Sequence, residues 1–227
     1  MFVEWTTTAK DASAQGREMG DANSCVLVID DDRDFRDSVA RLLRSIGLET
    51  RQYASVTDFL NARASEGPTC ILLDVRLPGP SGLELQRELA AARRKIPIIF
   101  ISAHADVPMT VQAMKNGAVE FLTKPFRDQD LLDAVEAALA RDRAHRQCDR
   151  ALRELKERFG TLSAREREVM AQIAAGRANK QIAGNIGIAV STVKVHRTHL
   201  MRKMNARSLP ELGRMADMLG LVVEGDC

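Results

Sequence analysis

The chain has 227 residues, 45% of them hydrophobic, and a formal net charge of only +2, enough apolar material for two modest cores or one large one. No stretch approaches the ~20 consecutive apolar residues that cross a bilayer, and the amino-terminal region lacks the apolar core of a signal peptide, so a cytoplasmic protein without membrane contact is expected. Cys25, Cys70, Cys148 and Cys227 form no C-x-x-C pair, which argues against a zinc knuckle or a disulfide framework; Cys25 and Cys70 open apolar runs and read as core hydrophobes.

The small net charge hides an asymmetry. Residues 1–140 carry 16 basic and 21 acidic side chains, residues 141–158 carry 7 and 4, and residues 159–227 carry 10 and 6. An acidic regulatory part joined to a polyanion-binding part fits that split.

Residues 1–24 mix Thr, Ala, Ser, Gly and charges without a period and are expected to be a disordered extension, with Phe2 and Trp5 available for docking and Met19 offering a later start. Cys25–Ile29 reads as a buried strand ending in Asp30, Asp31 and Asp32. A helix from Arg33 to Ile46 follows, its stripe made of Phe35, Val39, Leu42, Leu43 and Ile46, and Gly47 stops it. Strand Glu49–Tyr53 and helix Val56–Ala64 come next. Cys70–Leu73 is an unbroken apolar run, as suits a parallel strand covered on both faces; it halts at Asp74, and Pro78, Gly79, Pro80 and Gly82 forbid its continuation. A helix from Gly82 to Arg94, a strand Ile96–Ile101 ending in Ser102, a helix Val107–Asn116, a strand Val119–Thr123 ending in Lys124-Pro125 and a helix from Asp128 complete the repeat. Five β/α units predict a doubly wound α/β domain with a five-stranded parallel sheet over residues 25–140.

Asp30/Asp31, Asp74, Ser102 and Lys124 all end strands. Singly, each has a plain explanation as a helix cap or a solvated side chain. Together they stand at the carboxyl edge of one sheet, where ligands of open α/β folds bind. Clustered carboxylates repel unless a divalent cation offsets them, and an oxygen ligand set suits Mg2+. A carboxylate such as Asp74 accepts a phosphoryl group as an acyl phosphate, with Lys124 neutralising the transferring oxygens and Ser102 bonding the new ones.

At these residues the sequence resembles the receiver domain of two-component response regulators. Asp30 and Asp31 match its acidic pair, Asp74 its phospho-acceptor, Pro78 and Gly82 the following loop, Ser102 the switch hydroxyl, and Lys124-Pro125 the lysine and its usually cis proline. Phe121 matches the switch aromatic, and Val75 departs from a frequent Met. The resemblance implies that the backbone carbonyl of Arg76 completes the Mg2+ site, with Asp31 a direct ligand. A metal-dependent phosphohydrolase built on a similar Asp would need a second acid two residues on, where Arg76 stands.

Residues 141–158 are charged, with Ala144, Cys148, Leu152 and Leu155 at helical spacing, and predict a helical linker continuing the last helix of the first domain. Ser163 and Glu166 form a capping box for a helix carrying Val169, Ile173 and Ala174, which Gly176 ends. Asn179 is expected to cap a short helix through Ile186, Gly187 turns the chain into a third helix, and Ser208 caps a last one to Leu219. An all-α, four-helix helix-turn-helix domain over 159–221 follows, with 222–227 a tail. On the third helix Val193, Arg197, Leu200 and Met204 share one side, and Lys194, Val195, Thr198 and Arg202 the other.

Leu162–Val169, Asn179–Ala183 and Thr192–Arg197 resemble the LuxR-type DNA-binding domain, and Lys194–Arg197, Met201–Met204 and Ala206–Leu209 lean toward the FixJ side of the FixJ/NarL class. Ala189 departs from the Ser that usually caps the recognition helix. The resemblance makes Asn179, Lys180, Thr192, Lys194, Val195, Arg197, Thr198 and Arg202 candidate DNA contacts; His196, with no Cys or second His suitably spaced, is assigned to packing or phosphate contact rather than to a metal. It further implies a sensor histidine kinase as phosphodonor, promoter DNA as target, homodimerisation on phosphorylation of Asp74, contact with RNA polymerase and an activating role. The alternative is a DNA-binding regulator that never uses phosphate.

Overall fold

The computed structural model describes residues 24–63, 65–103 and 106–221. The expected extension before Ser24 and the tail after residue 221 lie outside them. The chain divides into two compact units that part between His145 and Arg146. Among the described residues, no helix is long and apolar enough to cross a membrane.

The first unit holds β1 (Cys25–Ile29), α1 (Arg33–Ser45), β2 (Glu49–Tyr53), α2 (Val56–Leu60), β3 (Thr69–Asp74), α3 (Gly82–Ala91), β4 (Ile98–Ser102), α4 (Val107–Lys115), β5 (Glu120–Thr123) and the first turns of α5 (Asp128–Gly160). Its five strands are all parallel, in the order β2-β1-β3-β4-β5. Alternate side chains of β1, β3 and β4 face opposite layers. Leu27, Ile29, Ile71, Leu73 and Phe100 pack with α2, α3 and α4, whereas Val26, Val28, Leu72, Ile99 and Ile101 pack with α1 and α5. Burial on both faces explains why these strands lack polar alternation.

Element ends differ from the sequence-based expectations. Strand β4 starts at Ile98, beyond Pro97, whose ring leaves no N–H for the ladder. Helix α2 stops at Leu60 and α3 at Ala91, with Arg93 in a left-handed conformation. Ser24, expected in the extension, is buried, and its carbonyl accepts the Glu49 N–H at 3.2 Å. At the other end the first unit outruns its expected limit at residue 140: Asp142 of α5 is 5% exposed and its Oδ2 accepts the Thr69 N–H at 2.8 Å, fixing the start of β3.

The second unit holds the end of α5 with α6 (Ala164–Ala174), α7 (Asn179–Ile186), α8 (Val190–Met204) and α9 (Leu209–Met218). Leu155, Leu162, Val169, Met170, Ile182, Val193, Leu200, Met204 and Leu212 are its core; burying such a side chain contributes ~2 kcal/mol. Two caps differ from expectation. Ala178, not Asn179, precedes α7, and the Gln181 side chain takes the Ala178 N–H at 2.9 Å. Ala189 precedes α8, which therefore starts without a side-chain cap.

Within this core lies a carboxylate. Glu166 is 3% exposed and accepts the Ser163 N–H at 2.8 Å and Lys203 Nζ at 2.7 Å. Burial pushes its carboxyl up, but Lys203 and the Ser163 N–H and hydroxyl outweigh it and hold the group down at about 2. A depressed carboxylate stabilises the fold above its unfolded pKa and loses that contribution as pH falls toward the folded one. Thermal unfolding followed by circular dichroism should therefore show the second unit weakening as pH drops from about 4.5 to about 2, and Glu166→Gln should flatten that slope. Lys203→Met, which strands the carboxylate, should cost about 2 kcal/mol at neutral pH, less than a fully enclosed pair because the lysine head is partly wet.

Candidate functional site: an acidic pocket and a basic recognition helix

The carboxyl ends of β1, β3, β4 and β5 meet as expected. Asp30 and Asp74 are buried and Asp31 is exposed, and one carboxylate oxygen from each lies within 4.8 Å of the others. Asp32 leaves the group. As N-cap of α1 it accepts the N–H of Asp34 at 2.9 Å and of Phe35 at 3.1 Å. Asp30 Oδ1 accepts the Asp32 N–H at 2.9 Å, its carbonyl accepts Arg36 Nη1, and its Oδ2 takes Lys124 Nζ at 2.6 Å. Lys124 also donates to Asp74 Oδ2 at 3.0 Å, and the Arg76 N–H donates to Asp74 Oδ1 at 2.8 Å. Lys124 thus bridges the two buried acids.

The electrostatics follow burial. Burial pushes the Asp30 carboxyl above its usual range, against the pull of Lys124 and the Asp32 N–H. For Lys124 burial pulls down, but the bonds to Asp30 and Asp74 win and raise it, so the ammonium stays charged. Beneath it, Nζ stands 3.8 Å from the centroid of the Phe35 ring, which meets Phe126 edge-on at 6.1 Å. The sequence placed Phe35 only on the inward stripe of α1. The missed signal is its spacing, one turn after the acidic pair.

Ser102 is buried at the end of β4, and its carbonyl accepts the Lys124 N–H at 2.9 Å. Phe121 sits opposite Phe100 in the β4/β5 register and stacks on it at 6.0 Å. The Lys124–Pro125 bond is cis. Behind Asp74, the Gly82 N–H donates to the Val75 carbonyl at 3.1 Å, and a Cβ on Gly82 would lie 2.4 Å from the Asp74 carbonyl oxygen.

In chemical terms the pocket offers three carboxylates and a fixed cation. Oxygen donors this close suit a hard divalent ion such as Mg2+, so the residues present fit one. The structure contains no group two residues after Asp74 that would serve as a second acid, since Arg76 occupies the place.

On the second unit, Lys180, Thr192, Lys194, Val195, Thr198 and Arg202 are exposed. Asn179, Lys194, Arg197, Thr198 and Met201 line one concavity. Arg197 is half-buried and donates to Asn179 Oδ1 at 3.1 Å, joining α7 to α8, a pairing that helical periodicity does not reveal. Val195 is 52% exposed beside Lys194, an apolar group of the kind that meets a thymine methyl. Buried Cys25 and Cys70, whose thiols burial pushes up, are core as expected, and Cys148 is exposed.

Residues 26–136 match the model of the response regulator receiver domain, and residues 160–216 that of the bacterial regulatory proteins of the luxR family. Nodulation protein W of Bradyrhizobium diazoefficiens is 50% identical over 206 residues, 91% of each chain. The transcriptional regulatory protein FixJ of Azorhizobium caulinodans is 45% identical, covering 88% of this chain and 95% of its own. The solved structure of the response regulator StyR superposes with a TM-score of 0.77 at 46% identity, over 86% of this chain and 99% of that one.

Proposed function

This chain belongs to the two-component response regulators that join a receiver to a LuxR-type DNA-binding domain, and from that premise we propose that phosphorylation of Asp74 switches its binding to promoter DNA. It is a transcriptional regulator, not an enzyme. The observation that carries the proposal is the bridge of Lys124 between Asp30 and Asp74 beside Asp31.

A sensor histidine kinase is the phosphodonor in this reading. A carboxylate oxygen of Asp74 attacks phosphorus, the phosphorus–nitrogen bond to the kinase histidine breaks, and the imidazole leaves. Asp30, Asp31 and Asp74 with the Arg76 carbonyl would hold Mg2+, which when bound would supply positive charge to the transferring oxygens. Lys124 gives up its bond to the Asp74 carboxylate and turns to the phosphoryl group. Ser102 bonds the new oxygens, and Phe121 follows. Next to these residues, α4 exposes Val107, Val111 and Met114 while burying only Ala113, so its outer surface carries an apolar stripe that suits a second copy of the chain. Dimerisation pairs two recognition helices on two half-sites, and the bound dimer acts as an activator through RNA polymerase.

Size-exclusion mass with Mg2+ and beryllofluoride, a phosphoryl mimic, tests this: the mimic should move the protein from monomer to dimer. An unmoved elution with equal DNA affinity in both states would instead support regulation without phosphate. Lys194→Ala and Arg202→Ala should each weaken binding to promoter DNA and lower the slope of log affinity against log salt by about 0.9 for every phosphate left without its cation, measured by fluorescence anisotropy.

A further inference from the structure

We propose that Phe35 is a positioning residue for Lys124, its ring holding the ammonium at the phosphoryl-accepting site while the carboxylates around it change partners. The proposal rests on Asp74 being the phospho-acceptor. Three groups surround Lys124 Nζ: Asp30 Oδ2 at 2.6 Å, Asp74 Oδ2 at 3.0 Å, and the Phe35 ring centroid at 3.8 Å. The first two are the carboxylates whose occupation changes in the reaction. One is drawn to the divalent ion, and the other becomes an acyl phosphate that carries its charge elsewhere. The ring is the contact that stays as it was. Its face attracts a cation without accepting a proton or using a directed N–H donor, so it fixes the ammonium and leaves its hydrogens free to turn.

The ring is itself fixed from two sides. Asp32 takes the Phe35 N–H at 3.1 Å and so sets the first turn of α1. Phe126, two residues after Lys124, meets the ring at 88° with the centroids 6.1 Å apart, a perpendicular pairing that holds the ring in place. The plain alternative is that Phe35 only fills space against the layer of Val39, Leu43 and Leu131. A Leu would then serve nearly as well.

Labelling of the full-length protein by acetyl phosphate with Mg2+, read as the single-turnover rate, separates the two. Phe35→Leu should label about 3- to 10-fold more slowly, the range of a partly desolvated cation–ring contact, while Phe35→Tyr should stay near the wild-type rate. In a Lys124→Ala background, Phe35→Leu should have no further effect. The ε-methylene protons of Lys124 should show a ring-current upfield shift in the wild type and in Phe35→Tyr that is missing in Phe35→Leu. Should the Leu variant fail to fold, progressively fluorinated phenylalanines at position 35 keep the shape and weaken the ring face, and the rate should fall along that series. A wild-type rate in Phe35→Leu or in the fluorinated series, or an equal loss with Lys124→Ala already present, would overturn the proposal and leave the acceptor role of Asp74 standing. No labelling of the wild type would overturn that role and the proposal with it.

Discussion

Asp74→Asn loses phosphoryl labelling, by at least about a thousandfold, and with it the monomer-to-dimer shift. The amide is nearly isosteric and its oxygen still accepts the Arg76 N–H, which now meets Asp74 Oδ1 at 2.8 Å, so the loop after β3 should hold its course. What changes is chemical. An amide oxygen is a far weaker nucleophile toward phosphorus than a carboxylate, and the partner that Lys124 holds at 3.0 Å loses its charge. Asp30 is then the one carboxylate left on Lys124. Intact-mass spectrometry after acetyl phosphate and Mg2+ should find one phosphoryl group on the wild type and none on the variant, and beryllofluoride should leave the variant monomeric. Undiminished labelling would move the acceptor elsewhere in the cluster.

The other large effect comes from a residue that touches no substrate. Gly82 opens α3 directly behind Asp74. A methyl there would sit 2.4 Å from the Asp74 carbonyl oxygen, 3.0 Å from Leu73 Cγ and 3.2 Å from Phe100 Cε1. The nearest atom is backbone and has no free rotor to give way. Gly82→Ala must therefore push α3 off the sheet or move the main chain of the acceptor. A cost of ~3 kcal/mol is expected from overpacking at such a site, together with slower labelling of Asp74. Denaturant unfolding monitors the first effect and acetyl phosphate kinetics the second. The capping box of Ser81 and Glu84, which brackets Gly82, should keep α3 helical in the variant, so the damage is one of position.

Strands β1, β3 and β4 were legible because burial on both faces leaves an unbroken apolar run, and the clustered carboxylates because the runs of β1 and β3 stop at Asp30 and Asp74. The cis peptide before Pro125 also agrees with the family pattern. Whatever depends on a distant partner was not legible. Asp32 stood beside Asp30 and Asp31 in the sequence, but its side chain is turned to capping α1. Asn179 was expected as a cap and is instead the acceptor for Arg197, 18 residues later. Glu166 was recognised as half of a capping box, yet its ion pair with Lys203, 37 residues away, has no local signature. Phe35 obeyed helical periodicity well enough to conceal its contact with Lys124. Periodicity reports which face is inward, and two aromatic residues on the same face differ only in what the fold brings over them.

Asp142 bears on how such regulators are recombined. The receiver match ends at residue 136, and a chimera joining a foreign output domain there or at residue 140 would be a natural design. Either cut discards the carboxylate that accepts the Thr69 N–H, 73 residues earlier in the chain. A buried backbone donor stripped of its acceptor costs ~1–3 kcal/mol, and here it would open the strand that ends in Asp74. The interchangeable module thus includes the first turns of what looks like connecting helix, and a junction placed after His145 lets a grafted domain inherit an intact acceptor strand.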